Sequence, residues 1–194
     1  MDIDITAIEE DVVDQKFFDA VDAKDWQKVL YLIDVEGIDI ETPLFGPYQG
    51  KTVLLAMVED THISNDDVVK FIGELVRRGA NINAKDDLKQ TALTIACKQD
   101  RLEVVKVLID CGAAISFQDI EIVRSRSLDL IQLLITRENL ELAYFCNLMR
   151  FACETKNIAL IAYLKSIDMK MEEEDELMLS YALIGRQGHM IDSV

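Results

Sequence analysis

Seven residues, Gly46-Pro47-Tyr48-Gln49-Gly50-Lys51-Thr52, set two glycines, a lysine and a hydroxyl in nearly the order of a phosphate-binding loop. That loop needs four residues between its glycines and a hydrophobic strand before the first. Here the spacing is one short and no such strand precedes it, so Gly50-Lys51-Thr52 reads better as the start of a structural unit. The two histidines, His62 and His189, lie far apart in sequence, so a triad or metal site would need an accident of folding. Asp66-Asp67 and Asp86-Asp87 suit turns and helix N-caps better than acid catalysis. Cys97, Cys111, Cys146 and Cys153 show no close paired spacing and read as reduced thiols. No catalytic or metal-ligating constellation is legible, no cofactor is implied, and the chain does not read as an enzyme.

Bulk properties narrow the class further. Half of the 194 residues are apolar, which argues against general disorder, and the formal net charge is -16. Such an excess repels a phosphate backbone and argues against nucleic-acid binding; it favours solubility and a partner with a basic surface. No apolar run approaches the roughly 20 residues of a membrane span. Met1-Asp2-Ile3-Asp4-Ile5 has no basic region followed by an apolar core, so no secretory signal is expected, and the chain is expected in the cytoplasm as a monomer.

The pattern that organises the chain lies between Lys85 and Gln118. Thr91 is placed to cap a helix carrying Leu93, Ala96 and Cys97 inward. Lys98-Gln99-Asp100-Arg101 interrupts the apolar pattern. A second helix then presents Val104, Val105, Leu108 and Ile109 as one stripe of a 3.6-residue period, and Gly112 stands where a left-handed C-cap needs a residue without Cβ. Gly37-Ile38-Asp39-Ile40 mirrors Gly79-Ala80-Asn81-Ile82, so the chain is internally self-similar.

At Thr91-Ala92-Leu93-Thr94-Ile95-Ala96 and Val104 to Ala113 the chain resembles the ankyrin repeat family, with the family's spacing from Thr91 to Gly112 and its hairpin at Arg78 to Asp86. The match is close over residues 79–116 and looser elsewhere. The resemblance implies an all-α fold: an ankyrin-repeat solenoid of stacked helix-turn-helix units with short hairpin loops. Residues 1–15 would form an N-terminal capping helix or tail, and 16–194 about five units, degenerate toward the C-terminus. Lys16 to Glu41 reads as a degenerate first unit, with Trp26 between its helices, and Thr42 to Tyr48 as a long hairpin finger. The span from Thr52 to Gly79 exceeds that from Thr91 to Gly112 by about six residues, expected near Glu59 to Asp67 as a loop or as an extension of either helix. Helix pairs are expected around Ile120 to Ile135 and Leu148 to Leu164, the latter joined through Thr155-Lys156-Asn157. A last helix is expected after the acidic run Glu172 to Glu176.

The family binds other macromolecules through hairpin tips and first helices that line a concave face. Carried over by position, the partner-binding residues implied here are Phe45, Tyr48 and Gln49 on the first finger, Lys85, Asp87, Leu88, Lys89 and Gln90 on the second, Lys98 on the adjoining helix, and Phe117. Lys89 stands where the family prefers glycine, which implies a distorted turn. Asn83 matches a hairpin asparagine that bonds neighbouring hairpins, and that hydroxylases modify in some members. Cys97 and Cys153 fall where a small buried alanine is usual. The resemblance implies a non-catalytic protein–protein interaction module. Two alternatives stay open: a secreted bacterial effector that captures a protein in the host cytosol, since Glu172 to Glu176 is similar to type IV secretion signals, and an acidic nucleic-acid mimic.

Overall fold

The computed structural model describes residues 15–44, 48, 50–124, 127–135 and 142–167; the expectations for the N-terminal cap, for Phe45 and Gln49, and for the acidic run at Glu172 to Glu176 lie outside these residues. Among the described residues there are ten helices and no strand beyond one isolated antiparallel bridge, Leu44 to Lys51. The helices are α1 (15–22), α2 (Trp26–Glu36), α3 (Val53–Glu59), α4 (Asn65–Arg77), α5 (Ala92–Lys98), α6 (Leu102–Asp110), α7 (Phe117–Val123), α8 (Leu128–Leu134), α9 (Leu142–Glu154) and α10 (Ile158–Ser166). The chain divides into two compact units, Met1–Ile115 and Ser116–Val194.

In the first unit the helices alternate as first and second members of three pairs. First packs on first (α3 on α5) and second on second (α4 on α6). The core follows from the apolar stripes: Phe17, Ala20 and Val21 of α1, Leu54, Leu55 and Val58 of α3, Leu93, Ala96 and Cys97 of α5, and Val104, Val105 and Leu108 of α6 are buried. Each fully buried branched side chain contributes about 1.5–3 kcal/mol relative to exposure.

The punctuation is equally local. Thr91 Oγ1 accepts from the Thr94 amide at 3.2 Å, which starts α5. Gly112 (φ 89°) ends α6: its amide bonds Ile109 O and the Ala113 amide bonds Leu108 O, each at 2.9 Å, the paired bonds of a Schellman motif. Gly79 ends α4 in the same way, with Val76 O and Leu75 O as acceptors. The turn between paired helices repeats too. Lys24 and Asp100 take positive φ (56° and 58°) immediately before Asp25 and Arg101, the N-caps of α2 and α6. Only αL geometry reverses the chain so tightly, and a non-glycine residue there costs about 1–2 kcal/mol.

The second pair is longer than the third, as its spacing required. The linker from Asp60 to Ser64 has two residues more than that from Gln99 to Arg101, and α4 has 13 residues where α6 has nine. The extra residues therefore widen the loop and add about one turn to the second helix. Ser64 caps that helix, accepting from the Asp67 amide.

The described residues of the second unit form two further pairs. α7 packs on α8, and α9 on α10. A capping box at Ser116 and Asp119 opens α7, with Asp119 Oδ2 accepting from the Ser116 amide at 2.8 Å. Lys156 (φ 55°) and Asn157, which accepts from the Leu160 amide, repeat the turn seen at Lys24 and Asp100. None of the four cysteines forms a disulfide; Cys97 is buried, while Cys153 is partly exposed.

Candidate functional site

The second finger, between α4 and α5, is the most complete display of the residues marked in the sequence. Its turn is regular: the Lys89 amide bonds Asp86 O at 2.9 Å and the Asp86 amide bonds Gln90 O at 3.1 Å. Lys89 adopts the positive φ (61°) that glycine would, so the distortion expected there does not occur. Asp86 is the reason the turn holds. It is 3% exposed, and its Oδ1 accepts from the Gln90 amide at 2.8 Å, tying the two ends of the loop together. Lys51, itself buried, sets its Nζ 3.9 Å from Asp86 Oδ2 and 3.3 Å from Glu59 Oε2. The lysine of the phosphate-loop-like stretch is thus committed to carboxylates.

On this base Lys85, Asp87, Leu88 and Lys89 are all exposed, Leu88 to 58%. Gln90 is half-buried, and its Oε1 accepts from Lys98 Nζ at 2.7 Å, so Lys98 joins the same surface. Asp87 leans back over the neighbouring finger: a Cβ added to Gly50 (φ 71°) would lie 2.6 Å from Asp87 Oδ1. Glycine at position 50 serves both the close approach and the backbone angle.

Tyr48 lies elsewhere. It is half-buried with its hydroxyl 3.4 Å from Val21 O, and burial together with the Asp22 carboxylate pushes its phenol up to about 12. Phe117 belongs to the second unit, where it is 37% exposed and borders an open pocket of about 300 Å³ with Glu121, Arg124, Asn147, Arg150 and Phe151. The Arg124 guanidinium sits 4.9 Å from the centre of the Phe151 ring.

Two polar centres were not singled out by the sequence. Arg101 is buried, and its guanidinium donates to Val58 O (3.2 Å), Asp60 O (3.3 Å), Ile63 O (3.1 Å) and Asn65 Oδ1 (2.6 Å). Gln99 Nε2 donates to Glu59 O at 2.8 Å. Val58 and Glu59 supply the last carbonyls of α3, which have no acceptor role within a helix that stops there. The next pair's side chains therefore cap this one, and a cation at a helix C-terminus is also favoured by the dipole. The second centre is Asp60. Burial raises its carboxyl pKa, but the Lys24 ammonium at 2.8 Å and the His62 amide at 3.0 Å outweigh that and hold it below the usual range. Its rising signal in the sequence would have been an acid beside a histidine in an insertion, which says nothing of burial.

Asn83 stitches successive hairpins: its Oδ1 accepts from the Ala114 amide at 2.8 Å and its Nδ2 faces Gly112 O at 3.4 Å. One pair earlier, Glu41 Oε1 accepts from the Asn81 amide at 2.7 Å. Among the described residues no group of three or more histidine, cysteine or carboxylate side chains could hold a metal ion, and no helix is long and apolar enough to cross a membrane.

A model of ankyrin repeats in three copies matches residues 17–119, more than half of the chain, and the chain belongs to the ankyrin repeat family. Those residues are the three helix pairs of the first unit, extended by the start of α7. No curated protein matches the sequence. Ankyrin repeats are in general protein–protein interaction modules, and the family is typically non-catalytic.

Proposed function

We propose that this chain is a non-catalytic, monomeric binding module of the cytoplasm that engages a partner protein through the finger at residues 85–90. The observation that supports this reading is the pairing of an exposed apolar tip with a fixed base. Leu88 is 58% exposed between three exposed charged residues, while Asp86 beneath it is buried and bonded across the turn. A tip already held in one conformation loses little entropy on docking, which is how preorganisation raises affinity. A partner with a basic surface fits the net charge of -16, which would speed encounter at low salt.

The test is capture of a partner by wild type and by Leu88→Glu, with thermal melting of both. The reading expects capture to fail with the variant while its melting temperature stays within about 2 °C of wild type, as for surface changes of roughly 0.5 kcal/mol or less. Unimpaired capture by Leu88→Glu would remove the finger from the interface.

A further inference from the structure

The tip of the second finger is cationic on a chain that is strongly acidic. The sequence carries 36 acidic side chains against 20 basic ones. Over residues 85–98 the exposed charges invert that ratio: Lys85, Lys89 and Lys98 are exposed, and Asp87 is the one exposed carboxylate. The turn gathers the lysines. Its backbone closes from the Asp86 amide to Gln90 O at 3.1 Å, so Lys85 and Lys89 flank its two ends. Lys98 Nζ bonds Gln90 Oε1 at 2.7 Å and adds a third ammonium to the same turn, while Leu88 stands 58% exposed at the tip. Among the described residues no carboxylate pairs with Lys85 or Lys89.

The nearby acids are buried, shared or set aside. Asp86 is 3% exposed, with the Gln90 amide on Oδ1 and Lys51 Nζ 3.9 Å from Oδ2. Glu59 has the same ammonium at 3.3 Å. Asp87 Oδ1 lies against Gly50 on the neighbouring finger. Counting every one of these groups, Lys51, Lys85, Lys89 and Lys98 still outnumber Glu59, Asp86 and Asp87. Charges more than about 8 Å away are largely screened at physiological salt, so what the tip meets at contact is decided by its own lysines. The net charge of -16 acts on encounter at low salt; a partner that is basic overall must still offer acid here.

From this we infer that the finger docks on an acidic segment of the partner protein, with an apolar side chain seated on Leu88 and carboxylates beside it reaching Lys85, Lys89 and Lys98. A nucleic-acid backbone also supplies anions, but its length carries phosphates past the tip into the field of the acidic chain. The inference rests on the binding reading above. The two fail separately, because capture by Leu88→Glu tests the finger and a pair of peptides of opposite charge tests its chemistry.

The full chain, with ¹³C-labelled leucine methyls and the Leu88 signal assigned by its loss in Leu88→Met, is titrated at about 0.15 M salt. The probes are a peptide with leucine and phenylalanine flanked by glutamates, its twin with lysines for glutamates, and oligothymidylate of similar length. Exposed ion pairs are individually weak, so preference comes from two or three acting together. The glutamate peptide is expected to move the Leu88 methyl saturably and at least about tenfold more tightly than the lysine twin, a difference of roughly 1.4 kcal/mol. Lys85→Glu/Lys89→Glu should reverse that order at the same methyl. If hydrogen exchange at the Gln90 amide shows that this variant has lost the turn, Lys85→Glu/Lys98→Glu serves instead, since it leaves the positive φ of Lys89 alone. Equal response to the two peptides, tighter binding of the lysine twin, or no shift up to about 5 mM, weaker than the roughly millimolar affinity of a few good contacts, would overturn the inference. Tighter binding of oligothymidylate at Leu88 would overturn it too, in favour of a phosphate backbone.

Discussion

Replacing Arg101 by methionine keeps the aliphatic stem and deletes a guanidinium that makes four hydrogen bonds. Three of its acceptors are backbone carbonyls, and Val58 O and Asp60 O lie on the buried side. Hydrogen bonds to charged groups are worth about 1.5–3 kcal/mol net, and each buried acceptor left unmatched costs about 1–3 kcal/mol. The charge itself was expensive to bury, and that expense is recovered on removal. Burial also pulls the guanidinium pKa down, with the Asp60 charge opposing. The balance predicts a loss of about 3–5 kcal/mol, as when one partner of a buried polar network is removed. For a domain of this size that lowers the melting temperature by roughly 10–20 °C. Arg101→Lys should fall between, because a single ammonium has three donors and no planar fork. Urea unfolding followed by circular dichroism gives the number, and a cycle with Asn65→Ala should show a coupling of about 1 kcal/mol or more. An Arg101→Met variant within about 0.5 kcal/mol of wild type would refute the idea that this side chain caps α3 and fixes the linker.

Two further outcomes follow from the same geometry. Asn83→Ala removes the bonds to Ala114 N and Gly112 O at an exposed position, and should cost about 1–2 kcal/mol in urea unfolding, with faster hydrogen exchange at the Ala114 amide. The bond from Arg78, whose Nε and Nη2 reach the two Asp34 oxygens at 2.7 and 2.8 Å, lowers the Asp34 carboxyl below its usual value. A carboxylate depressed in the folded state stabilises above its unfolded pKa, near 3.9, and loses that contribution as pH falls through the folded value. Arg78→Met should therefore return the Asp34 titration, read by carbon NMR, to the ordinary range, and flatten the loss of stability below about pH 4.

The repeat was legible because its determinants are local. Thr91 caps the helix that begins one residue later, Gly112 takes the only backbone angle that ends α6 there, and the apolar stripes of α5 and α6 are short-range periodicities. Length arithmetic located the extra residues of the second pair but could not divide them between loop and helix. That division rests on the local cap from Ser64 to the Asp67 amide and on Arg101 holding the carbonyl of Ile63, a contact between residues 38 positions apart. Lys89 shows the limit of a residue preference. Glycine is favoured at its angle, yet the Asp86 bonds across the turn are enough to hold a lysine there.

The burial of the polar centres was illegible for one shared reason. Arg101, Asp60, Asp86 and Lys51 are charged, and a charged residue in an interrupted apolar pattern reads as solvent-facing. Each is instead buried where a pair of helices meets the next, and each bonds across that junction: Arg101 to the linker of the preceding pair, Asp60 to Lys24, and Asp86 toward Lys51. Stacked repeats place apolar faces together but also strand helix-end carbonyls between them, which water cannot reach and the helices cannot satisfy. At the end of α3 the side chains of Arg101 and Gln99 solve that problem, and their positions are fixed by the neighbour's backbone. For this chain the charged residues between helices were therefore the ones to suspect of structural work.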